Sequence, residues 1–106
     1  MRKRINQSEI ELEILRNIEA NPYLTQRQVA EDLNISLGKT NYIIKALINK
    51  GWVKIDNFKK SDNKIKYLYN LTPRGLFQKT RITKEFLQRK AEEYASLKED
   101  IEALKK

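Results

Sequence analysis

The sequence predicts a mainly α fold with a minor β component: three short helices, a Lys-rich β-hairpin of two or three strands, and one long C-terminal helix. Three observations predict it. Good N-cap residues stand just ahead of apolar stripes at helical spacing. Two alternating segments, residues 52–55 and 65–71, flank a polar tip. The stretch 74–106 contains no helix breaker after Gly75.

The first helix is expected to start at Ser8. Ser8-Glu9-Ile10-Glu11 reads as a capping box, in which hydroxyl and carboxylate each satisfy an orphan backbone N–H. Ile10, Ile14, Leu15 and Ile18 then form one stripe, and Asn21-Pro22 ends the helix because the residue before proline is pushed out of the helical region. Thr25-Gln26-Arg27-Gln28 is a second capping box, with Val29, Ala30 and Leu33 as the buried side. Asn34 and Ile35 make a turn, and Ser36 caps the third helix. At about 100° per residue, Thr40, Ile43, Ile44, Leu47 and Ile48 share one side of that helix. Gly38, Lys39, Asn41, Tyr42, Lys45 and Asn49 share the other. Gly51 supplies the stop.

Residues 56–64 are polar, lack Pro and Gly, and read as a mobile tip between the strands. Thr72-Pro73 opens the last helix, with Thr as cap and Pro at the first helical position. Leu87, Tyr94, Leu97, Ile101 and Leu104 recur at three-four spacing with Lys90 in the remaining seam position, a coiled-coil pattern of about three heptads. A break near Ile82-Thr83 is one option. An unbroken helix from Pro73 would be about 50 Å long, more than a chain of this size can cover by itself. The seam therefore calls for another chain or a fold-back.

Composition narrows the function. With 106 residues, the chain builds one modest core and not two. It has no apolar run long enough for a membrane span, and no apolar stretch follows Met1-Arg2-Lys3-Arg4, so neither span nor secretory signal is expected and the location is expected to be cytoplasmic. The absence of Cys and His removes thiol chemistry and the usual zinc ligands. No nucleophile, phosphate loop or cofactor motif is present, so the chain does not read as an enzyme. Of the net charge of +8, most falls between residues 36 and 66, where eight lysines face only Asp56 and Asp62. Cations gathered on two adjacent elements favour an acidic partner, of which nucleic acid is the commonest.

The order helix, turn, helix, hairpin is that of a winged helix-turn-helix. The expected domains are a flexible basic N-terminus (1–7), a DNA-binding domain (8–72) and a dimerisation helix (73–106). Residues 24–75 resemble the winged-helix regulators of the MarR family through Leu24-Thr25-Gln26, Val29-Ala30, Leu33, Ser36, Leu47, Gly51 and Leu71-Thr72-Pro73-Arg74-Gly75. Ser36 to Tyr42 and the Leu71–Gly75 motif look closest to the small branch associated with exopolysaccharide loci. The resemblance implies a homodimer on pseudo-palindromic operator DNA. The chain departs from the family in its short wing, which has Asp62-Asn63-Lys64 in place of an acidic-x-Arg signature.

In a helix-turn-helix, the second helix enters the major groove. The expected reading residues are therefore Ser36, Gly38, Lys39, Thr40, Asn41, Tyr42 and Lys45. Lysine donates to guanine O6/N7, and asparagine pairs with adenine N6/N7. Gln26 and Arg27 at the preceding helix start are expected on the phosphates, and Lys59, Lys60, Asn63 and Lys64 of the wing on the phosphates or in the minor groove. The partners are double-stranded DNA and a second copy through Leu87, Tyr94, Leu97, Ile101 and Leu104; no effector is indicated. Two rival readings are a winged-helix module that docks into a larger complex, and a plasmid or phage replication or partition factor.

Overall fold

A computed structural model describes residues 6–59 and 65–105, with side chains except those of 57–59 and 65–67. Six elements follow in order: α1 (Gln7–Ala20), α2 (Gln26–Leu33), α3 (Leu37–Asn49), β1 (Val53–Lys59), β2 (Ile65–Leu71) and α4 (Pro73–Leu104). The basic residues Arg2, Lys3 and Arg4 and the tip from Lys60 to Lys64, expected to be mobile, lie outside the described residues.

Helix starts follow the caps, with one displacement. Thr25 and Gln28 form the reciprocal capping box of α2. Ser36 Oγ accepts from the Lys39 N–H at 3.0 Å at the start of α3. In α1 the cap is Asn6 and not Ser8: the Asn6 side chain accepts from the Glu9 N–H at 2.9 Å, and Ser8 lies within the first turn. Asn and Ser cap about equally well, so local preference does not choose between two candidates two residues apart.

Ile10, Ile14, Leu15 and Ile18 of α1, Val29 of α2, Ile43, Ile44 and Leu47 of α3, Val53 of β1 and Tyr69 of β2 form one buried cluster. Leu12 and Ile82 are buried outside it, and α1 packs against α4, which carries Ile82. Lys79 and Glu19 tie the same two helices with an ion pair of 2.8 Å.

β1 and β2 pair antiparallel from Val53↔Leu71 to Lys59↔Ile65, and the described residues contain no third strand. The first strand therefore runs through Asp56, Asn57, Phe58 and Lys59, which sequence reading assigns to the tip. Their ladder partners decide this, since polar residues pair in a two-stranded ribbon whose outer end needs no core. On the core-facing side, Val53 is buried but Ile55 is 41% exposed, so the hairpin leaves the body after its first pairs.

α4 runs unbroken past Ile82-Thr83, where the Thr83 hydroxyl donates to the Lys79 carbonyl within the helix. Its start is locked onto the turn after α3. Gly51 adopts φ 77°, which glycine tolerates without cost. The Thr72 hydroxyl donates to the Gly51 carbonyl and accepts from the Gly75 N–H, while the Thr72 N–H donates to the Trp52 carbonyl. A Cβ at Gly75 would sit 1.9 Å from that same Trp52 oxygen. Only glycine lets the first turn of α4 come this close. The Thr72-Pro73-Arg74-Gly75 run is therefore a joint.

Candidate nucleic-acid interface

α2 and α3 pack across a short turn, and α3 divides its residues sharply. Thr40, Ile43, Ile44 and Leu47 are buried, with Ile48 partly so. Gly38, Lys39, Tyr42 and Lys45 face outward, and Tyr42 is 72% exposed. These four therefore share the exposed side of α3, while two of the other expected site residues are placed differently.

Thr40 does not belong to that side. The residue is fully buried and its hydroxyl donates to the Ser36 carbonyl at 2.9 Å. Its helical angle places it with Ile43 and Ile44, so it has no access to an external ligand. Gln26 is the second correction. Its side chain is not spread over the surface toward a phosphate, because both ends of the amide are engaged. Gln26 Nε2 donates to Tyr69 Oη at 3.2 Å, and Gln26 Oε1 accepts from Asn41 Nδ2 at 3.0 Å. Arg27, its neighbour, is exposed.

Asn41 is therefore half-buried at the edge of the face and hydrogen-bonded to α2, with β2 behind it. Tyr69 is the member of this set that sequence reading missed as a site residue, since an aromatic on a strand reads as core. Its ring is core, but its hydroxyl reaches α2. No sequence signal marks a contact spanning 43 positions.

Gly38 has nothing within 4 Å of where a Cβ would stand. Crowding between helices therefore does not explain it. Glycine in the middle of a helix costs about 0.5–1 kcal/mol relative to alanine, and the described residues show no steric need for it here. Ser36 is exposed, but its oxygen already caps the helix.

Not all of the clustered lysines are free. Lys50 Nζ lies 3.4 Å from Glu11 and 4.7 Å from the centre of the Trp52 ring, so it braces α3 against α1 and the turn. Lys39, Lys45 and Lys54 remain exposed. Lys59 is the last residue of β1 with its side chain undescribed, and Lys60, Asn63 and Lys64 lie outside the described residues.

Along α4 the predicted seam faces solvent. Leu87, Tyr94, Leu97, Ile101 and Leu104 are each exposed, Leu104 by 85%. Lys90, in the same seam, pairs with Glu93 at 3.2 Å and lies over the Phe86 ring. Among the described residues, no group of acidic or other ligand side chains could hold a metal ion, and no helix is long and apolar enough to cross a membrane.

Residues 7–54 match the family model described as winged helix-turn-helix DNA-binding. A comparison with curated proteins finds no match. Among solved structures, the fold is similar to smu.1704 from Streptococcus mutans, with a TM-score of 0.72 and 21% identity over 85% of this chain and 87% of that one. It is also similar to MarR of Staphylococcus aureus, solved with salicylate and kanamycin, with a TM-score of 0.60 and 19% identity. That match covers 81% of this chain but only 56% of the Staphylococcus chain. Sso10a-2, a DNA-binding protein from Sulfolobus solfataricus, matches over 94% of this chain and 96% of its own, with a TM-score of 0.66 and 26% identity.

Proposed function

From the premise that residues 7–54 are a winged helix-turn-helix DNA-binding domain in a chain of MarR-like fold, we propose that the protein is a sequence-specific regulator of transcription. In this reading it acts in the cytoplasm as a homodimer on a pseudo-palindromic operator and represses by occluding polymerase. The observation that carries it is the outward face of α3. Gly38, Lys39, Tyr42 and Lys45 serve no packing role, and their types match what base edges and phosphates require.

In this reading each residue has a role. Lys39 and Lys45 donate to guanine edges or phosphates, and Tyr42 packs on a thymine methyl or donates to a phosphate. Gly38 lets the α3 backbone approach the groove. Asn41 reads one base pair from the edge of the face. Arg27 and the lysines of the wing, Lys59, Lys60 and Lys64 with Asn63, supply affinity along the backbone rather than specificity. The exposed α4 seam of Leu87, Tyr94, Leu97, Ile101 and Leu104 holds the second copy, with residues 73–106 as the dimerisation segment. A dimer then presents two α3 helices to half-sites one helical turn, about 10–10.5 bp, or a multiple apart.

The test is a fluorescence anisotropy titration with a random duplex and with DNA from upstream of the protein's own gene, each at two salt concentrations. Tighter binding to the upstream fragment that survives added salt is the expected result. Equal binding to both, erased by salt, overturns sequence reading. Because α4 leaves a long apolar face uncovered, the chain would then be a protein-interaction module.

A further inference from the structure

The outward face of α3 and the core of the wing are joined by a single hydrogen-bonded chain. Tyr69 is anchored: its ring is 6% exposed in the core cluster, and its backbone N–H donates to the Pro22 carbonyl at 3.1 Å. From it the chain runs through the Gln26 amide to Asn41 Nδ2, at 3.2 and 3.0 Å. We propose that Gln26 and Tyr69 set the base preference of the DNA-reading face by fixing which edge of the Asn41 amide is presented. The proposal rests on the reading that α3 enters the major groove.

A side-chain amide carries two N–H donors and one oxygen acceptor. One Asn41 N–H is spent on Gln26. The remaining N–H and the Oδ1 atom stand side by side, which is the donor–acceptor pair that matches adenine N7 and N6 in the major groove. Turned over, Asn41 would give its oxygen to Gln26 and present two N–H groups, a pattern that suits the two acceptors of guanine. An isolated surface asparagine interchanges these states freely. Here Asn41 turns only if Gln26 turns with it, since two amide oxygens would otherwise face each other. Gln26 in turn needs Tyr69 Oη to become a donor. Three groups must reverse together, and hydrogen-bonded chains of this kind reinforce one polarity along their length. Gln26 and Tyr69 are thus positioning residues, acting on DNA only through Asn41.

The experiment measures binding of the full chain to an operator duplex and to duplexes with each base pair changed in turn. Asn41→Ala first identifies the base pair at which preference is lost. Tyr69→Phe removes one hydroxyl and keeps the packed ring. It is expected to lower adenine-over-guanine preference at that pair by roughly three- to tenfold, with binding to random duplex unchanged. Gln26→Glu leaves a side chain that only accepts hydrogen bonds. It keeps the Asn41 polarity, so it should retain the preference while weakening all DNA alike. Gln26→Ala, at a half-buried position in the first turn of α2, repeats the first test should Tyr69→Phe fail to fold. Unchanged preference in Tyr69→Phe and Gln26→Ala, with Asn41→Ala still losing it, overturns the positioning role but not base reading by α3. No position-specific loss in Asn41→Ala overturns the proposal by removing Asn41 from base reading, whereas equal binding of the unaltered chain to every duplex overturns base reading by α3 itself.

Discussion

The body from α1 to β2 and the far half of α4 solve opposite problems with the same residue types. In the body, Ile14, Leu15 and Leu47 reach zero exposure against partners from several elements. Beyond Ile82, α4 carries Leu87, Leu97 and Leu104 at equally regular spacing, and all three lie open to solvent. The residues are alike and the surroundings differ. A hydrophobic pattern thus specifies that a face will be covered, and chain length decides whether the cover comes from within. The body is expected to melt as a unit at a temperature independent of concentration, whereas order in the far half of α4 should rise with it.

That contrast can be broken from either side. The largest loss is expected from Leu47→Ala, which opens a cavity at a fully enclosed position. It should cost about 2–5 kcal/mol in urea unfolding, at every protein concentration. Gly75→Ala should follow, because the added methyl meets backbone and not a yielding side chain. Its expected cost of about 1–3 kcal/mol should be accompanied by lost amide protection at Thr72 and Gly75, the residues of the joint. Ile101→Asp sharpens the comparison from the other end. Unfolding of the dilute protein should change by less than about 0.5 kcal/mol, while sedimentation shows the loss of any self-associated species. The last effect has the opposite sign. Gly38→Ala should stabilise the fold by about 0.5–1 kcal/mol, measured by thermal melting, and weaken DNA binding if α3 approaches the groove as proposed. A stabilised variant with unaltered DNA affinity would remove Gly38 from the interface.

Local chemistry made the body legible. Thr25 with Gln28, Ser36, and Thr72 with Pro73 announce helix starts through atoms three residues away, and all are used as read. The buried and exposed sides of α3 follow from helical angle alone, and Thr40 shows that the angle outranks residue type. Ser8 yielded to Asn6 because two equivalent caps compete. The strand through Asp56 and Asn57 was hidden because a ladder is decided by its partner strand. The Asn41–Gln26–Tyr69 chain and the fit of Gly75 against Trp52 were hidden for a related reason: each brings together positions that only the completed fold makes neighbours.

The joint at Gly51, Trp52, Thr72 and Gly75 also has a geometric gain. From it α4 extends 32 residues, about 48 Å at 1.5 Å per residue. A tilt of about 5° at such a base swings the far end by about 4 Å, slightly more than the 3.4 Å between successive base pairs. Three hydrogen bonds and one close backbone approach at the base of a rod, together with its packing on α1, therefore govern where anything held at Leu104 will stand. A few degrees there are worth a whole rung of a double helix.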